Sequence, residues 1–302
     1  MPLDPDVAAL LAQMPAFDPN RTPAAVRAEG ERRRPPARHD GTLSTRDLVV
    51  SGADGAIGAR HYLPSGGSAD RGLLVYFHGG GFVLGDLESH DAVCRALASG
   101  SQAAVLAVDY RLAPEHPFPC GVDDAWAALG WARDHAGELG ADPANLAVGG
   151  DSAGGNLAAV TALRARDAGL ALRLQLLVYP GTDFSARRPS LAENAGYVLT
   201  PEAMEWFERH YSPDPTDWRA SPLLAPDLAG VAPAVVLTCE YDPLRDEGNA
   251  FAERLRDAGV AVEHVQVPGM IHGALNLTEL IPAAGVLLET SCRALQAAFG
   301  QA

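Results

Sequence analysis

Six short runs constrain this chain more than anything else in it: GLLVYF (72–77), AAVLAVDY (103–110), NLAVGG (145–150), LRLQLLVYP (172–180), AVVLTCE (234–240) and VEHVQV (262–267). They are near-continuous in apolar, often β-branched residues, the composition of strands buried on both faces of a parallel sheet. Longer stretches with helical spacing lie between them, at about 88–99, 121–138, 153–168, 246–258 and 278–299. Asp246 is expected to cap the fourth of these helices and Thr278 the fifth. Strand–helix alternation implies right-handed crossovers and an α/β fold with a mostly parallel, doubly wound sheet flanked by helices. RDLVV (46–50) and IGARHYL (57–63) flank a turn at Asp54-Gly55 and read as two more strands, about eight in all.

One stretch breaks the alternation. Residues 182–220 separate two sheet strands yet carry Tyr197, Trp206, Phe207, Tyr211 and Trp218. With residues 1–40, which start as a helical pattern, this insertion is expected to form a helical cap over one end of the sheet. The 302 residues then make a single domain, 1–302, with that cap. The run ERRRPPARHD (31–40) reads as a solvated connector rather than a nucleic-acid patch.

Charge and composition remove several functions. A formal net charge of −15 opposes binding to nucleic acid and to anionic membrane surfaces. All 23 basic residues are arginine, so Schiff-base lysines, P-loop lysines and Ser-x-x-Lys dyads are excluded. The four cysteines are scattered, with no C-x-x-C pair, and read as reduced and mostly buried. No apolar stretch reaches membrane-spanning length and the N-terminus lacks the basic start of a secretory signal, so a soluble cytoplasmic protein is expected. No H-E-x-x-H or similar ligand spacing is present; neither a metal nor a cofactor is expected.

The chemistry centres on GGDSAGGNLAAV (149–160), where Ser152 sits between a strand and a helix. In the pattern Gly150-Asp151-Ser152-Ala153-Gly154, small neighbours let the two elements approach closely enough for a strained turn that lifts the hydroxyl from the sheet. A serine needs a base, and the base needs an orienting acid. Both are sought at the carboxyl ends of later strands. After AVVLTCE come Glu240, still in the strand, and Asp242, which lies in the loop and is the better acid. After VEHVQV comes GMIHGAL: His264 alternates within the strand and reads as structural, whereas His272 lies beyond it and is the better base.

The loop in VYFHGGGFVLGD follows an early strand and can aim consecutive N–H groups at one oxygen. Gly79 and Gly80, with the N–H of Ala153 at the helix N-terminus, are the expected oxyanion donors. A phosphate cradle is the rival role, but no lysine follows and G-x-G-x-x-G is missing. His78 is expected to hold the glycine loop by hydrogen bonds, and Asp151 to support neighbouring loops rather than carry protons.

With these residues assembled, the chain resembles the hormone-sensitive-lipase-like esterases (bacterial family IV) of the α/β-hydrolase superfamily. The resemblance rests on HGGGFVLGDLESHD (78–91), VDYRLAPEHPFP (108–119), GDSAGGNLA (150–158), SPLLAPDLAG (221–230), YDPLRDEG (241–248) and GMIHGAL (269–275). It implies Ser152, Asp242 and His272 as catalytic triad, Gly79, Gly80 and Ala153 as oxyanion hole, and the cap described above. DYRLAPEHP is expected to brace the site through Asp109, Tyr110, Arg111 and Glu115. Candidate pocket walls are Phe82, Leu84, Tyr197, Trp206, Phe207 and Tyr211, core packing being the alternative role for the cap aromatics. Family members often pair through the last strand and helix, which implies a homodimer through about 262–267 and 278–299.

The expected activity is hydrolysis of short- to medium-chain carboxylic esters through an acyl-enzyme, with a small-molecule ester as the partner. Amide, formamide or lactone cleavage would use the same machinery. A non-catalytic small-molecule receptor on this fold is the alternative from another class. A dehalogenase would need a carboxylate where Ser152 stands.

Overall fold

The computed structural model describes residues 2–33, 41, 43–66 and 71–300. Its strands are β1 (Leu43–Gly52), β2 (Gly55–Pro64), β3 (Leu73–Phe77), β4 (Ala104–Asp109), β5 (Leu146–Asp151), β6 (Leu174–Val178), β7 (Ala234–Tyr241) and β8 (Val262–Ile271). They form one sheet in the order β1-β2-β4-β3-β5-β6-β7-β8. β1, β2 and β4 pair antiparallel, and every other neighbouring pair is parallel. The helices are α1 (Pro5–Leu11), α2 (Pro23–Arg33), α3 (Asp91–Ser101), α4 (Cys120–Asp134), α5 (Ala153–Asp167), α6 (Pro189–Glu193), α7 (Pro201–Tyr211), α8 (Arg245–Asp257) and α9 (Gly285–Ala298).

The double burial inferred from the apolar runs is seen residue by residue in β3. All five of its side chains are inaccessible to solvent. Leu73, Val75 and Phe77 join the core on the side of α4, α5 and α8, and Leu74 and Tyr76 join the core on the side of α3 and α9. Each such large side chain contributes roughly 1.5–3 kcal/mol by leaving water. At the centre, α5 is buried on nearly every side because its first turns are glycine and alanine. A Cβ on Gly154 would lie 1.9 Å from the Phe77 carbonyl oxygen, so this helix touches the neighbouring strand's backbone directly.

Three local expectations are corrected. The last helix starts at Gly285, not near 278, and Thr278 ends a short 3₁₀ turn (274–277) instead of capping it. The cause is Pro282, which drives the preceding Ile281 to an extended conformation (φ −125°, ψ 92°) and breaks the helical path. Asp246 does not cap α8: Leu244 holds that position, because Asp242 Oδ1 accepts the Leu244 N–H at 2.8 Å and closes the turn earlier. The carboxylate of Asp246 instead accepts the Ser190 N–H at 2.8 Å. In the first hairpin the connecting residues are Ala53 and Asp54, with Gly52 opposite Gly55, and Ala53 N–H is held by Asp124 Oδ1 at 3.0 Å. Of the connector at 31–40, Arg32 and Arg33 end α2, and 34–40 lie outside the described residues.

Burial also sets three titrations. Burial, with help from Arg46, pushes His61 down to about 4. Burial and the neighbouring His90 do the same to His78, also to about 4. Burial pushes the Glu247 carboxyl up to about 8.

Two predictions follow from packing and burial. Gly154→Ala must move the α5 start away from β3, and should cost about 3 kcal/mol in urea unfolding. The depressed histidines supply stability that is present above about pH 6.5 and lost as pH falls toward 4. The raised Glu247 supplies stability that is present below its ordinary range and lost as pH rises through about 8. The two histidines outweigh Glu247 where the ranges overlap, so the melting temperature should rise to about pH 6.5 and fall from there to about 8. His61→Gln should flatten the acid limb, and Glu247→Gln should flatten the alkaline limb and steepen the acid one, in melting curves recorded from about pH 4.5 to 9.

Candidate active site

Ser152 occupies the junction of β5 and α5 with φ 56° and ψ −117°, a conformation most residues avoid. Backbone contacts fix it there: its N–H donates to the Val178 carbonyl at 2.9 Å, and its carbonyl accepts from Asn156 at 3.1 Å and Gly181 at 3.2 Å. The turn presents Oγ 2.8 Å from His272 Nε2. His272 Nδ1 lies 2.8 Å from Asp242 Oδ2. Asp242 is fully buried, immediately beyond β7, and His272 is nearly so, immediately beyond β8. The three residues come from strands widely separated in sequence and meet at one edge of the sheet. His264 stays in β8, with Nε2 3.2 Å from Thr238 Oγ1. Glu240 accepts the Gly269 N–H at 2.8 Å and supports the strand that leads to His272.

The glycine loop needs its lack of side chains. Gly80 and Gly81 have φ of 127° and 61°. A Cβ on Gly80 would lie 2.2 Å from the Leu84 carbonyl oxygen, and one on Gly81 would lie 2.3 Å from the Phe207 ring.

Gly79, expected as an oxyanion donor, is committed elsewhere. Its N–H donates to Asp151 Oδ1 at 3.0 Å and lies 3.3 Å from His90 Nε2. Among the described residues, the N–H groups of Gly80, Gly81 and Ala153 have no acceptor. The N–H groups left free in this loop thus begin one residue along from the expected pair.

Asp151 also accepts the Tyr76 hydroxyl at 2.8 Å and faces His90 Nε2 at 3.2 Å. Burial alone would raise its carboxyl, but His90 and the Tyr76 hydrogen bond outweigh that and hold it below the usual carboxylate range. His78 faces away from the reacting groups: Nδ1 is 2.8 Å from the Gly79 carbonyl, and its ring stacks on Tyr110 at 4.4 Å. Tyr110 donates to the His78 carbonyl at 2.8 Å, Arg111 pairs with Asp124 at 2.8 Å, and Glu115 pairs with Arg27 at 2.9 Å. The carboxylate of Asp109, expected among these braces, makes no hydrogen bond or ion pair with any described residue, and Asp109 is held by its place in β4 opposite Gly58. Burial pushes its carboxyl up, as does Asp86.

Ser152 and His272 open onto a cavity of about 830 Å³. Its walls include Phe82, Leu84, Tyr197, Phe207 and Tyr211, with Leu11, Met14 and Phe17 from the N-terminal segment. Trp206 is not among them. It lies on the other side of α7, fully buried, with Nε1 donating to the Arg21 carbonyl at 2.9 Å and its ring edge-on to Phe17 at 5.8 Å. Positions 203, 207 and 211 share the cavity face of that helix, and 206 is a third of a turn away.

Supporting residues that sequence reasoning passed over include Tyr179, His90 and Glu247. Tyr179 packs 4.8 Å from the His272 ring, and its hydroxyl accepts the Leu275 N–H at 3.3 Å. His90 touches the glycine loop and Asp151, and its Nε2 is 3.4 Å from Asn276 Nδ2 in the loop after His272. Glu247 Oε1 accepts the Thr182 N–H at 2.6 Å. Tyr179 follows β6 at the active edge of the sheet, a position that could have flagged it; the other two carry no local signal. Among the described residues no group of three or more histidine, cysteine or acidic side chains could hold a metal ion, and no helix is long and apolar enough to cross a membrane.

Comparison with known proteins gives this geometry a family. The family model described as alpha/beta hydrolase fold matches residues 74–276. Carboxylic ester hydrolase LipN of Mycobacterium tuberculosis is 49% identical over 249 residues, 79% of this chain and 66% of LipN. Ethyl acetate hydrolase of Pseudomonas putida is 44% identical over 229 residues, 74% of this chain and 72% of that protein. Among solved structures, an esterase from Pyrobaculum calidifontis superimposes with a TM-score of 0.90 at 40% identity, covering 98% of this chain and 99% of its own. The ester-hydrolase EH1AB1 from the metagenome of Lake Arreo, complexed with a bipyridine phosphonate derivative, gives 0.91 at 41% identity and 99% of both chains. The chain belongs to the hormone-sensitive-lipase-like branch of the α/β-hydrolase family.

Proposed function

We propose that Ser152, His272 and Asp242 are nucleophile, base and orienting acid of an acyl-transfer centre, and that Gly80, Gly81 and Ala153 supply its oxyanion hole. The chain is a carboxylic ester hydrolase, and short- to medium-chain acyl esters are its substrate class. The observation that carries this reading is the unbroken contact path Ser152–His272–Asp242, 2.8 Å at each step, at the floor of an apolar cavity of about 830 Å³. Relatives named as ester hydrolases support the choice of bond.

The reaction runs through the same groups in each half-cycle. His272 Nε2 takes the proton from Ser152 as Oγ attacks the ester carbonyl. The carbonyl oxygen becomes an oxyanion facing the N–H groups of Gly80, Gly81 and Ala153, reinforced by the positive end of α5. Asp242 keeps Nδ1–H directed toward itself and stabilises the imidazolium. His272 then returns the proton to the leaving alkoxide, and water repeats the sequence to free the acid and regenerate Ser152.

Residues 2–33 and 182–220 act as the cap of this single domain and bound the acyl pocket, since the cavity walls at 11–17 and 196–211 come from them. The enzyme acts in the cytoplasm as a pair of copies. Its four thiols are all free, the form a reducing compartment maintains. Among the described residues β8 ends the sheet with one edge unpaired, and Asp4 N–H meets its far end, at the Gly269 carbonyl, 3.2 Å. Pairing would run through 262–267 and α9.

Initial rates on p-nitrophenyl esters from acetate to palmitate test the central reading. Rates should be highest between acetate and octanoate and fall by at least roughly 10⁴-fold in Ser152→Ala. Asp242→Asn should lose a similar factor, about 10⁴, with the pocket intact. A folded wild-type protein that turns over no ester would end the reading, leaving amides, formamides and lactones to be tested.

A further inference from the structure

Gly80 and Gly81 have no side chains to limit rotation of their peptide planes. The direction of their N–H groups is therefore set by whatever fastens the loop. Within the loop, the Gly80 carbonyl accepts from Val83 at 3.1 Å and Leu84 at 2.8 Å, and the Phe82 carbonyl accepts from Ala113 at 2.9 Å. One side chain then ties these points together from outside. Arg27, on α2, donates from Nε to the Val83 carbonyl at 2.8 Å and from Nη2 to the Ala113 carbonyl at 2.6 Å. The same guanidinium is held flat by Glu115, at 3.0 Å from Nη1 and 2.9 Å from Nη2. From α7, Phe207 fills the space beside Gly81 and Tyr211 stacks on Phe82 at 3.9 Å. Such apolar contacts keep the loop from lifting, but they do not orient a peptide plane.

Resting on the oxyanion hole proposed above, we infer that Arg27 is a positioning residue that fixes the N–H directions of Gly80 and Gly81 by bridging the Val83 and Ala113 carbonyls. The helix α2 thereby belongs to the transition-state geometry as well as to the pocket wall. Lysine cannot replace it, because an ammonium donates from one point and cannot span two carbonyls and a carboxylate at once.

The test compares Arg27→Met, which keeps the stem, and Arg27→Lys with the wild type. Arg164→Met serves as the control, since it breaks a partly buried ion pair with Asp123 at 2.8 Å and does not line the cavity. Each protein is assayed for kcat and KM on p-nitrophenyl butyrate. Each is also assayed for inhibition by a trifluoromethyl ketone, which forms an anionic adduct with a serine, and by the matching methyl ketone, which fills the same pocket without doing so. Arg27→Met should lower kcat about tenfold to hundredfold with KM within about threefold. Trifluoromethyl ketone inhibition should weaken in parallel with kcat/KM and methyl ketone inhibition should hold. Arg27→Lys should recover little of the loss, and Arg164→Met should keep wild-type kcat. Should Arg27→Met fail to fold, Glu115→Gln loosens the guanidinium and should give a smaller loss with the same signature. Wild-type kcat in the Arg27 variants, or equal weakening of both ketones, would overturn the inference. A wild type that binds the two ketones alike would instead overturn the oxyanion reading beneath it.

Discussion

The geometry of the site depends on one buried carboxylate. Asp151 immediately precedes the serine and is almost inaccessible, yet it gathers the Gly79 N–H, the Tyr76 hydroxyl and His90. A charge in that position is tolerable only because each of these groups satisfies it. Through it the nucleophile turn and the glycine loop become one rigid object, although 72 residues separate them in sequence. His90 extends the same object to Asn276 and the loop that carries His272. Ser152, His272 and the glycine loop are registered to one another by a group that takes no part in the proposed proton transfers.

Strain is concentrated where this object meets the cavity. Ser152 (φ 56°), Phe82 (φ 62°) and Tyr179 (φ 35°) are non-glycine residues in a sparsely populated backbone region. The first presents Oγ, the second continues the oxyanion loop, and the third lies beneath His272. Each is over-determined by its neighbours: Ser152 by three backbone hydrogen bonds, Phe82 by the Tyr211 stack, and Tyr179 by an N–H contact of 2.6 Å to the Leu237 carbonyl. Strain held this way keeps reacting groups close to their working positions, so little reorganisation remains for the chemical step.

How much of this was legible in the sequence follows from the range of each interaction. The parallel sheet was legible because double burial writes itself into every strand as a continuous apolar run. Ser152, Asp242 and His272 could be brought to one place because topology alone sends the ends of parallel strands to one edge. The choice among three adjacent glycines was not legible. Gly79, Gly80 and Gly81 look alike in one dimension, and the carboxylate that takes the Gly79 N–H lies 72 residues away, at the end of β5. Trp206 was misplaced for a similar reason: an aromatic in a cap helix points into the cavity or away from it by a third of a turn, and only the packing of Phe17 settles which. The late start of α9 was legible in principle, since Pro282 stands in the sequence, but the apolar periodicity around it masked the break.

The absence of lysine has a structural counterpart. Several arginines act as two-pronged ties between backbone carbonyls of neighbouring segments. Arg27 joins Val83 and Ala113, Arg71 joins Pro64 and Gly66, and Arg254 joins Leu223 and Ala225, each from two different nitrogens. A loop carbonyl near the core has left water and needs a donor, and a planar fork supplies two donors at a fixed separation. A point-like ammonium satisfies one carbonyl at a time and sheds its hydration less readily. In a chain whose working parts are loops at the end of a sheet, such ties fix the spacing between segments as well as satisfying them. The all-arginine composition that excluded lysine chemistries thus also indicates how the loops around the site are held.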